Sequence, residues 1–183
     1  MSNYQTRNSD MEIGEVYFWT STIVSWKNLF NTDDFKNVLL NSLKNLIERK
    51  CIAVYGLVII PNHVHLIWEM LTINGKEMPD TSFIKFTAHQ FKKMLLDSDL
   101  KMLDDFKTDK NDRNYMFWQR DALAVRIFSR EMLEQKLDYI HNNPMQEKWN
   151  LCDSPEEYPW SSARFYHGEI IGYEFSTHYL DRF

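Results

Sequence analysis

Two histidines separated by one residue are the first side chains in this sequence that could do chemistry together. They occur in the segment Pro61-Asn62-His63-Val64-His65. On a β-strand, residues i and i+2 point to the same face, with Cα atoms roughly 6.5–7 Å apart. The two imidazoles can therefore reach one divalent ion, either a transition metal or Mg²⁺ with added oxygen ligands. A His-X-His pair is a weak signal by itself, because two hydrogen-bonded histidines on a half-exposed strand show the same pattern.

A second candidate pair lies nearer the C-terminus. Tyr139 and Asn143 are four residues apart, so on a helix they lie one above the other, and Lys136 shares their face. A phenol can act as a nucleophile, and an amide oxygen can bind a hard metal ion. The helix buries an apolar stripe formed by Leu133, Leu137 and Ile140. Taken alone, the pattern is more typical of an ordinary amphipathic tyrosine with a helix-ending asparagine before Pro144.

Composition limits the classes of protein to consider. The chain has 183 residues, of which 44% are hydrophobic and 15% aromatic, which suits one folded domain with a real core. None of its five glycines forms a phosphate-binding loop, which excludes Walker-type and dinucleotide-binding sites. The formal charge of −5 argues against a generally basic nucleic-acid binder. Cys51 and Cys152 have neither disulfide-framework nor zinc-site spacing.

The hydrophobic pattern predicts the strands and helices that carry the two histidines and Tyr139. The predicted order is β-α-β-β-α-β-α, and it favours an α+β fold with helices packed on an antiparallel sheet. The strands 52–60 and 63–70 must be antiparallel neighbours because only Pro61-Asn62 separates them. The other expected elements are an early strand from residue 16, helices over 33–50, 81–96 and 130–143, a strand over 115–127, and a solvated acidic loop over 97–112.

The N-terminus and the longest apolar run predict where the protein is found in the cell. The polar start MSNYQTRNSD lacks the apolar core of a signal peptide. The longest apolar run, residues 51–60, is about half the length of a membrane-spanning helix. We therefore expect a cytoplasmic protein with no membrane contact.

Four segments together resemble a known family. They are PNHVHL (61–66), WQR (118–120), YIHNNP (139–144) and YPWSSARFY (158–166). In this order they resemble the IS200-like single-tyrosine transposases, and within them the REP-associated tyrosine transposase branch of the HUH (His-hydrophobe-His) nucleases. The resemblance covers about residues 16–166 and leaves an N-terminal tail, 1–15, and a C-terminal extension, 167–183, outside the domain.

The resemblance implies a fold and a chemistry. The fold is a ferredoxin-like antiparallel sheet with packed helices, the HUH nuclease fold. His63, His65 and Asn143 would bind a divalent ion, Mg²⁺ or Mn²⁺, and Tyr139 would be the nucleophile. The implied activity is cleavage and rejoining of single-stranded DNA at hairpin-forming repeats through a 5′-phosphotyrosine. The implied partner is single-stranded DNA with hairpin structure, bound by a nucleoid-associated monomer or homodimer.

The uneven distribution of charged residues along the chain allows DNA binding despite the negative net charge. The segment 97–112 alone holds six Asp against three Lys, whereas 113–130 holds four Arg and one Asp. Each candidate DNA contact could equally be a solvated surface charge. The candidates are Lys85, Lys92, Lys93, Arg120, Arg126, Arg130 and Lys136.

Two alternative functions stay open at this point. The first is a domesticated hairpin-binding protein that has lost catalysis. The second is a small metallohydrolase that uses the histidines with an Asp or Glu and does not need the Tyr139 hydroxyl. His89 and His141 are expected to be structural or to support the metal ligands from behind, because neither shares a face with those ligands. Trp160 and Ser161 are expected to pack and cap the C-terminal turn.

Overall fold

A four-stranded antiparallel sheet forms the centre of the protein. The computed structural model describes residues 10–109, 114–120, 122–168 and 175–183. The strands are β1 (Val16–Thr22), β2 (Ile52–Ile60), β3 (His63–Met70) and β4 (Leu123–Ile127), in the spatial order β2-β3-β1-β4. The helices are α1 (Asp33–Glu48), α2 (Pro79–Ser98), α3 (Leu100–Asp104), α4 (Arg130–Asn142) and α5 (Ala163–Tyr166). This is the predicted ferredoxin-like arrangement.

Helices cover both faces of the sheet. On one face, α1 and α2 pack on the inward side chains of the strands, including Trp19 and Trp68. On the other face, α4 packs its apolar stripe on Phe18 and Ile67. Because strand side chains alternate, His63 and His65 share a face with Ile67 and therefore point toward α4. The tyrosine helix and the histidine pair thus meet in one layer, as the resemblance implied.

The C-terminal part of the chain covers the edge of β2. Ile59 N–H donates to the Trp160 carbonyl at 2.9 Å, and Ser162 N–H donates to the Leu57 carbonyl at 2.8 Å. Ser162 Oγ also accepts from Leu57 N–H at 2.9 Å and lies 2.9 Å from Nε2 of the mostly buried His141. Pairing of this kind protects an edge strand from association with other chains. His141 is therefore structural, as predicted.

Two predicted elements differ from the structure. The expected loop over 97–112 contains α3 and buries Leu103 and Phe106 in the core, so its apolar residues, and not its acidic ones, decide its packing. Residues 110–112 lie outside the described part. The expected strand over 115–127 is continuous only from residue 123, because Phe117 and Trp118 are buried in the α1–α2 core. Residue 121 lies outside the described part.

The segments before residue 16 and after residue 166, outside the range of the family resemblance, also contact the sheet. Gly14 N–H donates to the Met70 carbonyl at 2.6 Å, and Thr177 N–H donates to the Val54 carbonyl at 2.9 Å. Arg182 Nε donates to the buried Glu69 carboxylate at 3.1 Å. Among the described residues, no helix is both long and apolar enough to cross a membrane.

Gly56 sets how closely α4 approaches the sheet. A Cβ at this position would lie 2.7 Å from Leu137 Cδ2 and 2.9 Å from Ile140 Cδ1. We expect Gly56→Ala to reduce the free energy of unfolding by about 1–3 kcal/mol through overpacking. Chemical denaturation measures this change. In the double variant Gly56→Ala/Leu137→Ala, the combined loss should be smaller than the sum of the two single losses, and additive losses would contradict the close approach.

Candidate active site

The two histidines at the start of β3 face each other across a very short distance. His63 and His65 are 5% and 4% exposed, and their Nε2 atoms lie 3.1 Å apart. A hydrogen on one of the two Nε2 atoms, or a cation between them, makes this distance favourable, because two facing lone pairs would repel each other. The pair can therefore share one proton in a hydrogen bond or hold a cation between the two nitrogens.

Hydrogen bonds to the outer nitrogens fix both rings. Asn62 Nδ2 donates to the Trp26 carbonyl at 3.2 Å, which directs Asn62 Oδ1 toward His63 Nδ1 at 2.7 Å. An amide oxygen only accepts, so His63 carries its proton on Nδ1 and presents a lone pair at Nε2. Thr20, directly opposite His65 in the β1–β3 register, places its hydroxyl 2.6 Å from His65 Nδ1. Such outer partners orient metal-binding histidines in general.

Burial keeps both imidazoles neutral. It lowers the pKa of His63 to about 4, and the positive charge of Lys148 adds to this effect. The pKa of His65 is also lowered well below its usual value, first by burial and then by His63, Lys148 and Lys136. Both side chains are therefore in the metal-binding form at neutral pH.

Asn143 brings an amide to the same point. It is 1% exposed at the C-terminal end of α4, and its Nδ2 lies 3.4 Å from His65 Nε2. Its Oδ1 is buried with no hydrogen-bond partner among the described residues. The amide oxygen and nitrogen exchange places on a half-turn of the group. After such a half-turn, the buried oxygen would lie beside His65 Nε2, where it would fit a hard or borderline divalent cation.

Acidic ligands do not complete this site. Within the described ranges, no group of three or more His, Cys, Asp and Glu side chains is arranged to hold a metal ion. A metal bound by His63, His65 and Asn143 would therefore rely on substrate oxygens and water for its other ligands. Among the residues that the structure describes, no Asp or Glu joins the two histidines in the way a small metallohydrolase of the kind considered above would need.

Tyr139 lies at the open side of the histidine pair. Its side chain is 45% exposed, and its ring centroid is 5.4 Å from that of His65. Phe18 contacts both rings, stacking on His65 at 5.5 Å and meeting Tyr139 edge-on at 5.9 Å. The Tyr139 hydroxyl makes no hydrogen bond to the described residues, so it is free to meet a substrate atom.

Two lysines flank the site. Lys136 Nζ lies 4.9 Å from the centre of the Phe18 ring, and Lys148 Nζ lies 5.3 Å from that of Trp149. Trp149 is in turn 5.8 Å from the His63 ring. The sequence analysis identified Lys136 and missed Lys148, whose only signal is its position shortly after the YIHNNP segment.

The structure places the other basic candidates away from the histidines. Lys85, Lys92 and Lys93 belong to α2, on the opposite face of the sheet. Arg120 lines a groove of about 560 Å³ with residues of that face, and Arg126 and Arg130 pair with Glu15 and Glu134. Of the seven candidates, Lys136 is the one beside the site, and DNA contact by all seven stays a prediction.

The Thr20 hydroxyl gives a direct test of the metal-binding geometry. Thr20→Val keeps the shape of the side chain and removes the group that orients His65. We expect Mn²⁺ affinity to fall roughly 10- to 100-fold, as measured by titration with electron paramagnetic resonance detection of free Mn²⁺. Thr22→Val is the matched control, because Thr22 lies on the same strand and its hydroxyl binds none of the described side chains. Unchanged affinity in Thr20→Val would contradict this geometry.

Comparison with known proteins supports the fold. No family model matches the sequence, and no curated protein matches it. Among solved structures, the chain is similar to a REP-associated tyrosine transposase bound to a REP hairpin, with a TM-score of 0.57 and 20% sequence identity. The likeness covers 97% of this chain and 89% of that one. It extends the likeness beyond the four sequence segments to nearly the whole chain and confirms the ferredoxin-like architecture.

Proposed function

We propose that this protein cleaves and rejoins single-stranded DNA through a covalent bond between Tyr139 and a 5′-phosphate. One observation carries the proposal. The imidazoles of His63 and His65 and the amide of Asn143 converge on one point, and the Asn143 oxygen has no partner among the described residues. The exposed Tyr139 ring stands 5.4 Å from that of His65. This set combines a cation site that has open positions with a nucleophile beside it.

The ligands proposed for the cation are Nε2 of His63, Nε2 of His65 and the side-chain oxygen of Asn143. Two nitrogens and one oxygen suit Mn²⁺, and also Mg²⁺ when phosphate oxygens and water complete the shell. A divalent ion held there would neutralise negative charge on the scissile phosphate. The low histidine pKa values support this role, since the imidazoles need lose no proton to bind the ion near neutral pH.

The covalent step balances without a second cofactor. The phenolic oxygen of Tyr139 loses its proton and attacks phosphorus, forming the tyrosyl P–O bond while the bond to the 3′-oxygen breaks. The leaving 3′-oxygen takes up a proton and becomes a hydroxyl. Attack by a 3′-hydroxyl on the phosphotyrosine reverses the step and rejoins DNA. One phosphodiester is exchanged for another, which agrees with the absence of a nucleotide-binding loop from the sequence.

The surroundings of Tyr139 favour a phosphate substrate. Lys136 and Lys148 lie on two sides of the histidine pair and provide positive potential there, although the whole chain carries a formal charge of −5. Attraction that depends on a few local cations weakens as salt is added. We therefore expect DNA binding that is moderate in strength and sensitive to ionic strength.

Hairpin-bearing single-stranded DNA is the substrate we propose. The similar solved structure, a REP-associated tyrosine transposase, is bound to a REP hairpin. The working unit that we propose is a monomer or a homodimer.

Tyr139→Phe tests the nucleophile. The variant keeps the ring contacts with Phe18 and His65 and removes only the attacking oxygen. Incubation with hairpin-bearing single-stranded DNA and Mn²⁺, followed by denaturing electrophoresis in SDS, should show a covalent adduct with the unmodified protein. We expect no adduct in Tyr139→Phe, because the variant lacks the oxygen that would bond to phosphorus.

Tyr115→Phe is the matched control, since this partly buried tyrosine packs against α2 on the other face of the sheet. It should form the adduct at the normal rate. Persistence of the adduct in Tyr139→Phe would show that another residue is the nucleophile. Tight hairpin binding without an adduct at any tested divalent metal would contradict catalysis and favour the non-catalytic binding protein.

A further inference from the structure

The segment after β1 holds an exposed tryptophan in an unusual backbone conformation. Ser25 and Trp26 both have φ of 56°, in the left-handed region that residues other than glycine and asparagine rarely adopt. The Trp26 side chain is nevertheless 61% exposed, so core packing does not account for the conformation. Strained backbone of this kind persists only where the surroundings hold it, and it is concentrated at functional sites.

The hydrogen bonds that hold Trp26 lead directly to the histidine pair. Trp26 N–H donates to the Ile23 carbonyl at 3.0 Å, and the Trp26 carbonyl accepts from Asn62 Nδ2 at 3.2 Å. The other side-chain atom of Asn62, Oδ1, lies 2.7 Å from His63 Nδ1. One amide therefore fixes both the indole-bearing backbone and the imidazole that we propose as a metal ligand.

The indole stands at the rim of the candidate active site. Its ring centroid is 6.3 Å from that of His63, with the rings at 85°. Trp149 lies 5.8 Å from His63 and carries Lys148 Nζ at 5.3 Å from its ring centre. The His63 ring thus contacts two indoles, and that of Trp26 is exposed. The ammonium group of Lys148 lies beside the other indole.

We propose that Trp26 stacks on an unpaired nucleobase of single-stranded DNA next to the phosphate that Tyr139 attacks. The inference rests on the function proposed above and adds a base-binding site to it. Stacking on one exposed indole beside cations is how proteins bind single strands without reading their sequence, because every base has a π face. A single indole presents far less surface than a specific protein interface requires, so a protein partner is the weaker explanation.

The test compares strands with and without bases. The probes are a fluorescein-labelled oligothymidylate and an abasic strand of the same length, which keeps the phosphates, and binding is followed by fluorescence anisotropy. The unmodified protein should bind the oligothymidylate more tightly than the abasic strand. Trp26→Asn should weaken oligothymidylate binding roughly tenfold and leave abasic binding unchanged, because asparagine tolerates the left-handed backbone but offers no aromatic face. Trp26→Phe should keep most of the preference.

Phe128→Ala is the matched control for loss of an exposed aromatic ring. Phe128 is 73% exposed and follows β4 where that strand pairs with Val16, at the end of β1 far from Thr20. This variant should bind both strands as the unmodified protein does. Equal binding of the two strands by the unmodified protein, or an unchanged preference in Trp26→Asn, would overturn the proposal.

The outcome is separable from that of the proposed function. If the Tyr139 adduct forms but the base preference survives in Trp26→Asn, the stacking site is wrong and the covalent chemistry stands. If Trp26→Asn abolishes the preference while no adduct forms, the stacking site stands and the covalent chemistry is wrong.

Discussion

The contact between His63 Nε2 and His65 Nε2, at 3.1 Å, is the constraint on which the rest of the site depends. Two nitrogens stay this close in a buried place only if a proton or a cation lies between them. Thr20 suits both situations, because its hydroxyl can donate to or accept from His65 Nδ1 and so permits either tautomer. Asn62 allows one tautomer of His63 only, with the lone pair directed inward.

The close approach of α4 to the sheet brings further side chains to the histidine pair. Gly56 lets α4 lie against β2 and β3, where a larger residue would meet Leu137 and Ile140. That approach brings Tyr139 beside His65 and Asn143 below it. His141, two residues after Tyr139, points away from the histidine pair and contacts Ser162. Ser162 also binds Leu57 at the edge of β2. The YIHNNP and WSSA segments are therefore joined physically, and that contact gives a structural reason for their joint presence in one chain.

Much of the architecture was predictable because local patterns and packing agree. The short turn before His63 forces an antiparallel pair, and the spacing of Tyr139 and Asn143 forces a shared helix face. The wrong predictions come from places where composition and packing disagree: the acidic stretch after α2 nevertheless buries Leu103 and Phe106. Thr20 could not be inferred from spacing, because strand register brings it to His65 from a distant part of the chain. Lys148 lies close in sequence to Asn143, but the turn after α4 decides where its charge is placed.

We propose that His63, His65 and Asn143 bind one divalent ion, and the covalent chemistry of Tyr139 depends on that ion. Anomalous diffraction at the manganese edge, from crystals of the protein grown with Mn²⁺ and hairpin-bearing single-stranded DNA, tests it most directly. We expect one anomalous peak within bonding distance of both Nε2 atoms, with the Asn143 amide oxygen turned toward it and a DNA phosphate oxygen on the side of Tyr139. Ordered DNA at Tyr139 with no peak between the two imidazoles, or a peak held by other side chains, would contradict metal binding by these three residues.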